Sequence, residues 1–181
     1  VKTDLVTLQN KNGITIQITN YGARVVSCWT PDKRGNFEDI VLGYSKLSDY
    51  LKKPNYYGAT IGRYANRIAH STFELDGQRY TLLDNERGSN LHGGNRGFHN
   101  VPWEIKDKGT QHVELEYLSK DGEEGFPGNL KVSLTYSLTS QNELHIECKA
   151  TTDRATPVNV TNHSYFNLLG AGNGRVEHHH L

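Results

Sequence analysis

At 181 residues the chain is long enough to bury one core of ordinary size, and nothing in it forces a second domain. Its 20 Lys and Arg against 20 Asp and Glu leave no net charge, which excludes a global field for nucleic acid or an anionic membrane and points to a small, neutral partner. No window approaches the roughly 18 consecutive apolar residues of a membrane span, and no apolar signal core opens the chain, so a soluble, cytoplasmic protein is expected. Cys28 and Cys148 are too few for a disulfide framework and are read as reduced packing residues.

In chain order, "ITIQI" (14–18) alternates as a strand does. Helical evidence is confined to "SKLSDYLKK" (45–53), where Ser45 is placed to cap, Leu47, Tyr50 and Leu51 form one face, and Pro54 ends the run. In "GRYANRIAH" (62–70), Asn66 and Arg67 stand beside a strand start; taken alone they read as a surface pair first and as a binding pair second. "FELDGQRYTL" (73–82) puts Asp76-Gly77 between two strand halves, which predicts a tight hairpin. In "NLHGGNRGFHNVPW" (90–103), His92 precedes two glycines that allow close backbone approach, but the loop lacks the Lys-Ser/Thr of a phosphate loop. "VELEY" (113–117) alternates again. "SKDGEEGFPGNL" (119–130) reads as a solvated loop in which Glu123 or Glu124 is a secondary candidate for a base.

The clearest alternation follows. Leu130, Val132, Leu134, Tyr136 and Leu138 face one way in "LKVSLTYSL", and Leu144, Ile146, Cys148 and Ala150 repeat the pattern after the short "TSQN", giving an antiparallel hairpin of half-buried strands. In "VNVTNHSYFNLLG" (158–170), a period of two lines up Asn159, Thr161, His163, Tyr165 and Asn167 on one face. A polar row with an aromatic suits the oriented donors and acceptors that sugar hydroxyls need, and an imidazole titrates near neutral pH. "NVT" and "NHS" match a glycosylation pattern by coincidence, and Ser164 has no nucleophile-elbow context. The terminal "GRVEHHHL" (174–181) reads either as a shortened tag or as the start of another strand. His178, His179 and His180 do not converge on a metal, because consecutive strand residues point to opposite faces. Many short strands with Gly-rich turns predict an all-β, antiparallel sandwich or barrel.

Taken together, "GRYANRIAHSTFELDG", "NLHGGNRGFHNVPWE", "DGEEGFPGNL" and "TPVNVTNHSYFNLLG" resemble the galactose mutarotase (aldose 1-epimerase) family, in the same order and at similar intervals. The likeness covers nearly the whole chain but only about the N-terminal half of a typical member. It implies that residues 1–181 are the N-terminal portion of a single, truncated mutarotase-like β-sandwich domain. The implied activity is interconversion of the α and β anomers of free aldohexoses such as galactose and glucose, with no metal or organic cofactor.

By the family's motifs, His163 is the general acid. His92 hydrogen-bonds the sugar near its ring oxygen and assists the proton transfer, while Asn66 and Arg67 bind sugar hydroxyls, Arg67 as a fixed fork of donors. Asn162, on the opposite face, is a structural hydrogen-bonder. The family's general base is a Glu in the C-terminal half, accompanied by a sugar-binding Asp, and neither stretch is present; losing one proton-transfer group costs about 10² to 10⁴ in rate. The rival reading is a non-catalytic carbohydrate-binding module or sugar sensor of the same fold. An epimerase for hexose 6-phosphates is disfavoured by the absence of a basic cluster near the proposed cleft.

Overall fold

The computed structural model describes residues 2–52 and 55–180. Two four-stranded antiparallel sheets hold the core. The first runs β1 (Leu5–Gln9), β2 (Thr15–Thr19), β3 (Arg24–Pro31) and β4 (Phe37–Asp39), neighbour to neighbour. A six-residue helix, α1 (Leu47–Lys52), follows. Tyr50 is its buried residue while Leu51 is 53% exposed, so the predicted three-residue apolar face reduces to one anchor. The predicted stop at Pro54, with Lys53, lies outside the described residues.

In chain order, between the strands of the two sheets, come the short strands that build the site: β5 (Thr60–Ile61), β6 (Arg67–Ala69), β7 (Thr72–Leu75), β8 (Gln78–Thr81) and β9 (Ser89–Leu91). The β7–β8 hairpin forms as predicted, with Asp76 and Gly77 at φ +52° and +73°, the pair of left-handed residues that a two-residue turn requires. The second sheet runs β10 (Glu104–Lys108), β11 (His112–Ser119), β12 (Leu130–Leu138) and β13 (Leu144–Thr152), again neighbour to neighbour. The last strand, β14 (Thr161–Asn162), pairs with β5.

The alternation in β2 and β12 explains why the sheets face each other. Ile16 and Ile18 from the first sheet and Val132, Leu134 and Tyr136 from the second are all buried in one apolar cluster with Phe98 and Trp103. Each such side chain contributes about 1.5–3 kcal/mol by leaving water. The all-β, antiparallel class predicted from the sequence is the class observed.

Two strand expectations need correction. β13 forms in register with β12, pairing Leu134 with Cys148 and Tyr136 with Ile146, but most of its length is exposed, Ile146 to 41%. It is an edge strand with β12 as its single partner in the sheet, and its apolar face opens into a cavity of about 300 Å³ shared with Val160 and β14. Cys28 is a buried thiol, pushed up to about 11 mainly by burial, whereas Cys148 lies free on this exposed strand instead of packing in the core.

The run 158–170 is not a continuous strand either. Beyond β14 it makes isolated bridges at Asn159, to Tyr64, and at Phe166, to Val41. Asn167 leaves the polar row: it is buried, donates to the Asn173 carbonyl and accepts from the Leu169 N–H, and so holds a turn. Asn162 is structural as expected, bridging the Gly58 carbonyl and the Ser164 N–H. The terminal histidines form a turn and no strand, with His179 Nε2 accepting from the Leu168 N–H at 2.8 Å.

Candidate active site

Three segments meet beside β5. The β5–β14 pairing continues past β14, where the His163 N–H donates to the Ala59 carbonyl at 2.8 Å and the His163 carbonyl accepts from Gly58 at 3.1 Å. This fixes His163 against the turn that carries Tyr56. Only glycine suits position 58: φ is +63°, and a Cβ would stand 1.8 Å from the Val25 carbonyl oxygen.

His92 reaches the same place from β9, whose pairing with β6 sets Leu91 opposite Arg67. The His92 N–H donates to the Asn66 carbonyl at 3.0 Å, and the Asn66 N–H donates back to His92 Nδ1 at 2.9 Å. Both residues have left-handed backbones, Asn66 at φ +66° and His92 at φ +55°, a conformation in which Asn and His are over-represented. Because Nδ1 accepts, the neutral ring carries its proton on Nε2 and offers one donor outward.

The imidazoles of His92 and His163 stand edge to face, 5.3 Å between centroids. Tyr56 lies 4.6 Å from His92, 4.9 Å from His99 and, nearly parallel, 5.6 Å from His163, while the Tyr165 ring lies 4.9 Å from His163, tilted by 37°. Arg67 donates to Asn66 Oδ1 at 3.3 Å and stands 3.8 Å from the Glu86 carboxylate, with half of its side chain open to solvent. All four residues predicted from the sequence therefore come together from three segments: Asn66 and Arg67 meet His92 through hydrogen bonds, and His163 joins them through ring contact with His92.

The electrostatics keep two of these rings neutral. Burial, then the charges of His163 and Arg67, push His92 down to about 4; deeper burial, then Arg24, His92 and His163, push His99 down to about 3. His99 is 8% exposed, and its Nδ1 is buried with no hydrogen-bond partner among the described residues. A neutral imidazole is a donor–acceptor pair, which suits hydroxyl recognition and proton transfer rather than ion pairing.

Sequence reasoning missed several parts. His99 and Tyr56 carry no periodic signal; both stand in short turns, and a second His in "NLHGGNRGFHNVPW" was the available cue. Arg24 is 1% exposed, donates to the carbonyls of Tyr57 and His99 at 2.9 and 2.8 Å, and is lowered to about 10 chiefly by burial. It thus ties the Tyr56 and His99 segments to β3.

Arg63, 2% exposed, plays the same part under the other loop, donating to the carbonyls of Ser119, Lys120, Pro127 and Gly128. Here the solvated-loop reading of Glu123 and Glu124 is corrected. Glu123 accepts from the Tyr117 and Ser119 hydroxyls, beside Arg63, and Glu124 accepts from the backbone N–H groups of Asn95 and Arg96 at 3.2 and 2.8 Å. Both carboxylates are spent on holding loops in place, Glu124 on the very loop that follows His92.

The chain resembles known proteins over nearly its whole length. A family model described as aldose 1-epimerase matches residues 4–181. The chain is 43% identical over 168 residues to a galactose mutarotase of Pongo abelii, covering 93% of this chain and 48% of that protein. It is 43% identical over 170 residues to an aldose 1-epimerase of Haemophilus influenzae, covering 94% and 49%. A crystal structure of an aldose epimerase homologue from C. elegans superposes with a TM-score of 0.89 at 34% identity, over 92% of this chain and 51% of that one. The chain spans about half the length of the curated relatives it matches.

Proposed function

The chain belongs to the aldose 1-epimerase family, and from that premise we propose that its histidine cleft serves the interconversion of α and β anomers of free aldohexoses such as galactose and glucose. The observation that supports this most is the His92–His163 pair, 5.3 Å apart, with the outward Nε2–H of His92 and the Asn66–Arg67 unit alongside. In the proposed reaction a base removes the C1 hydroxyl proton while His163, as general acid, protonates the ring oxygen. The ring opens to the aldehyde, C1 turns, and closure returns the proton to give the other anomer. His92 donates from Nε2 near the ring oxygen, and Asn66 and Arg67 orient the hydroxyls. The base is the glutamate that the family resemblance puts in the C-terminal half, since Glu123 and Glu124 are occupied by loop contacts. The balanced charge favours a neutral sugar over a sugar phosphate, and the proposal sets the protein in the cytoplasm; among the described residues no helix is long and apolar enough to cross a membrane.

The test is polarimetry of freshly dissolved α-D-galactose with the full-length gene product that carries this chain, against its His163→Ala variant. Faster exchange with the wild type, reduced roughly tenfold or more in the variant with the fold intact, is expected. Unchanged exchange in His163→Ala overturns the assignment, and stereoselective sugar binding with no effect on exchange favours the binding-module reading.

A further inference from the structure

Among the described residues, Tyr56 is the side chain in ring contact with all three histidines of the cleft. Its turn also carries the hydrogen-bond chain to His163: the Tyr56 carbonyl accepts from the Ala59 N–H at 3.0 Å, and the Ala59 carbonyl accepts from the His163 N–H at 2.8 Å. The Tyr56 hydroxyl has no hydrogen-bond partner among the described residues, so what reaches the histidines is the aromatic ring. Burial raises its phenol above the ordinary tyrosine value, and the group stays neutral.

An imidazole has a broad, two-fold torsion at its second side-chain bond, and no hydrogen bond from the described residues fixes the ring of His163. A flat surface nearly parallel to it, tilted by 28°, removes that freedom by packing. His92 has its Nδ1 pinned by Asn66, and the edge contact with Tyr56, at 75°, fixes the remaining tilt. The two rings thus share one reference plane.

We propose that Tyr56 is a positioning residue: its ring holds the His163 imidazole parallel and the His92 imidazole edge-on, so that both act on one sugar. This rests on the epimerase reading above. It implies that the ring matters and the hydroxyl does not.

The experiment compares the full-length wild type, Tyr56→Phe and Tyr56→Leu by polarimetric kinetics and by the side-chain NMR signals of the histidines. Tyr56→Phe is expected to keep kcat within about twofold, and Tyr56→Leu to lower kcat by roughly 10- to 100-fold with KM changed by less than about threefold, the signature of lost alignment. In Tyr56→Leu the His163 ring protons are expected to lose the part of their ring-current shift that the Tyr56 ring supplies, the part from Tyr165 remaining. Wild-type kcat in Tyr56→Leu, or an equal loss in Tyr56→Phe, overturns the proposal. If Tyr56→Leu does not fold, the wild type decides through NOEs from the Tyr56 ring to the His92 and His163 ring protons, whose absence overturns it. If the wild type does not speed exchange, the functional reading falls separately, and the same NOEs and ring-current shifts uphold or overturn the positioning.

Discussion

The Asn66 N–H donates to Nδ1 of His92 while the His92 N–H donates to the Asn66 carbonyl, so two loops close on each other through one reciprocal pair of hydrogen bonds. Each residue adopts a left-handed backbone to do so. The strain of two such residues, of order 1–3 kcal/mol each at the upper end, is offset by surrounding contacts and leaves the outward nitrogen of His92 defined.

That clasp predicts the protonation state of His92. At pH 6 the ring is expected to be neutral with its proton on Nε2, since burial and the neighbouring charges hold it down to about 4. Long-range ¹H–¹⁵N correlation spectra distinguish the two tautomers directly. A proton on Nδ1, or half-protonation near pH 6.5, is incompatible with the clasp.

The loop after His92 has a second constraint. Gly93 has φ +81°, and a Cβ there would lie 2.0 Å from the Gly62 carbonyl oxygen, backbone that cannot step aside without moving "GRYANR". Gly93→Ala is expected to destabilise the protein by at least about 2 kcal/mol, through strain and clash together. For a chain of this size that lowers Tm by roughly 4–8 °C. Thermal unfolding within 1 °C of the wild type would show that the two loops are not in contact as described.

How much of this was legible in the sequence follows from what each element needs. β12 could be read residue by residue, because a strand with one dry face must alternate, and Leu130 to Leu138 do. The β7–β8 turn was legible because Asp-Gly is a local solution to a local problem. His163 and His92 were found through motif resemblance, while the alternation that first drew attention to His163 holds only around β14 and fails at Asn167, which its own turn recruits. Arg24, Arg63 and Tyr56 were not legible, and His99 only as a second His in its loop. Their roles arise from carbonyls and rings brought together from segments far apart in the chain, and no local pattern encodes that.

β13 yields a prediction about association. It presents nine residues of edge strand, with Ile146 41% exposed, and the apolar residues Leu168 and Leu169 are exposed at 63% and 56%. An edge with unpaired backbone groups and an apolar face is a template for pairing with another chain. The 181-residue chain by itself is expected to self-associate at tens of micromolar, measured by light scattering after size exclusion. Ile146→Lys, which places a charge on the exposed edge, is expected to restore monomer without loss of Tm. A monomeric wild type would contradict this.

Stability should depend on pH through the imidazoles of buried His99 and half-buried His92. His99 is held down to about 3 and His92 to about 4, both below the ordinary value of about 6.5 in an unfolded chain. Above pH 6.5 both rings are neutral folded or unfolded, so neither affects stability there. Between about 6.5 and the folded values the unfolded chain binds protons that the fold refuses. Stability therefore falls as pH falls, by at most about 1.4 kcal/mol per pH unit for His99, and levels off below about pH 3. His99→Phe keeps the ring against Tyr56 but removes the titrating group. The drop in Tm from pH 7 to pH 5 should be smaller in this variant than in the wild type. Equal drops would mean that His99 protonates freely in the folded state and that its burial is not what keeps the ring neutral.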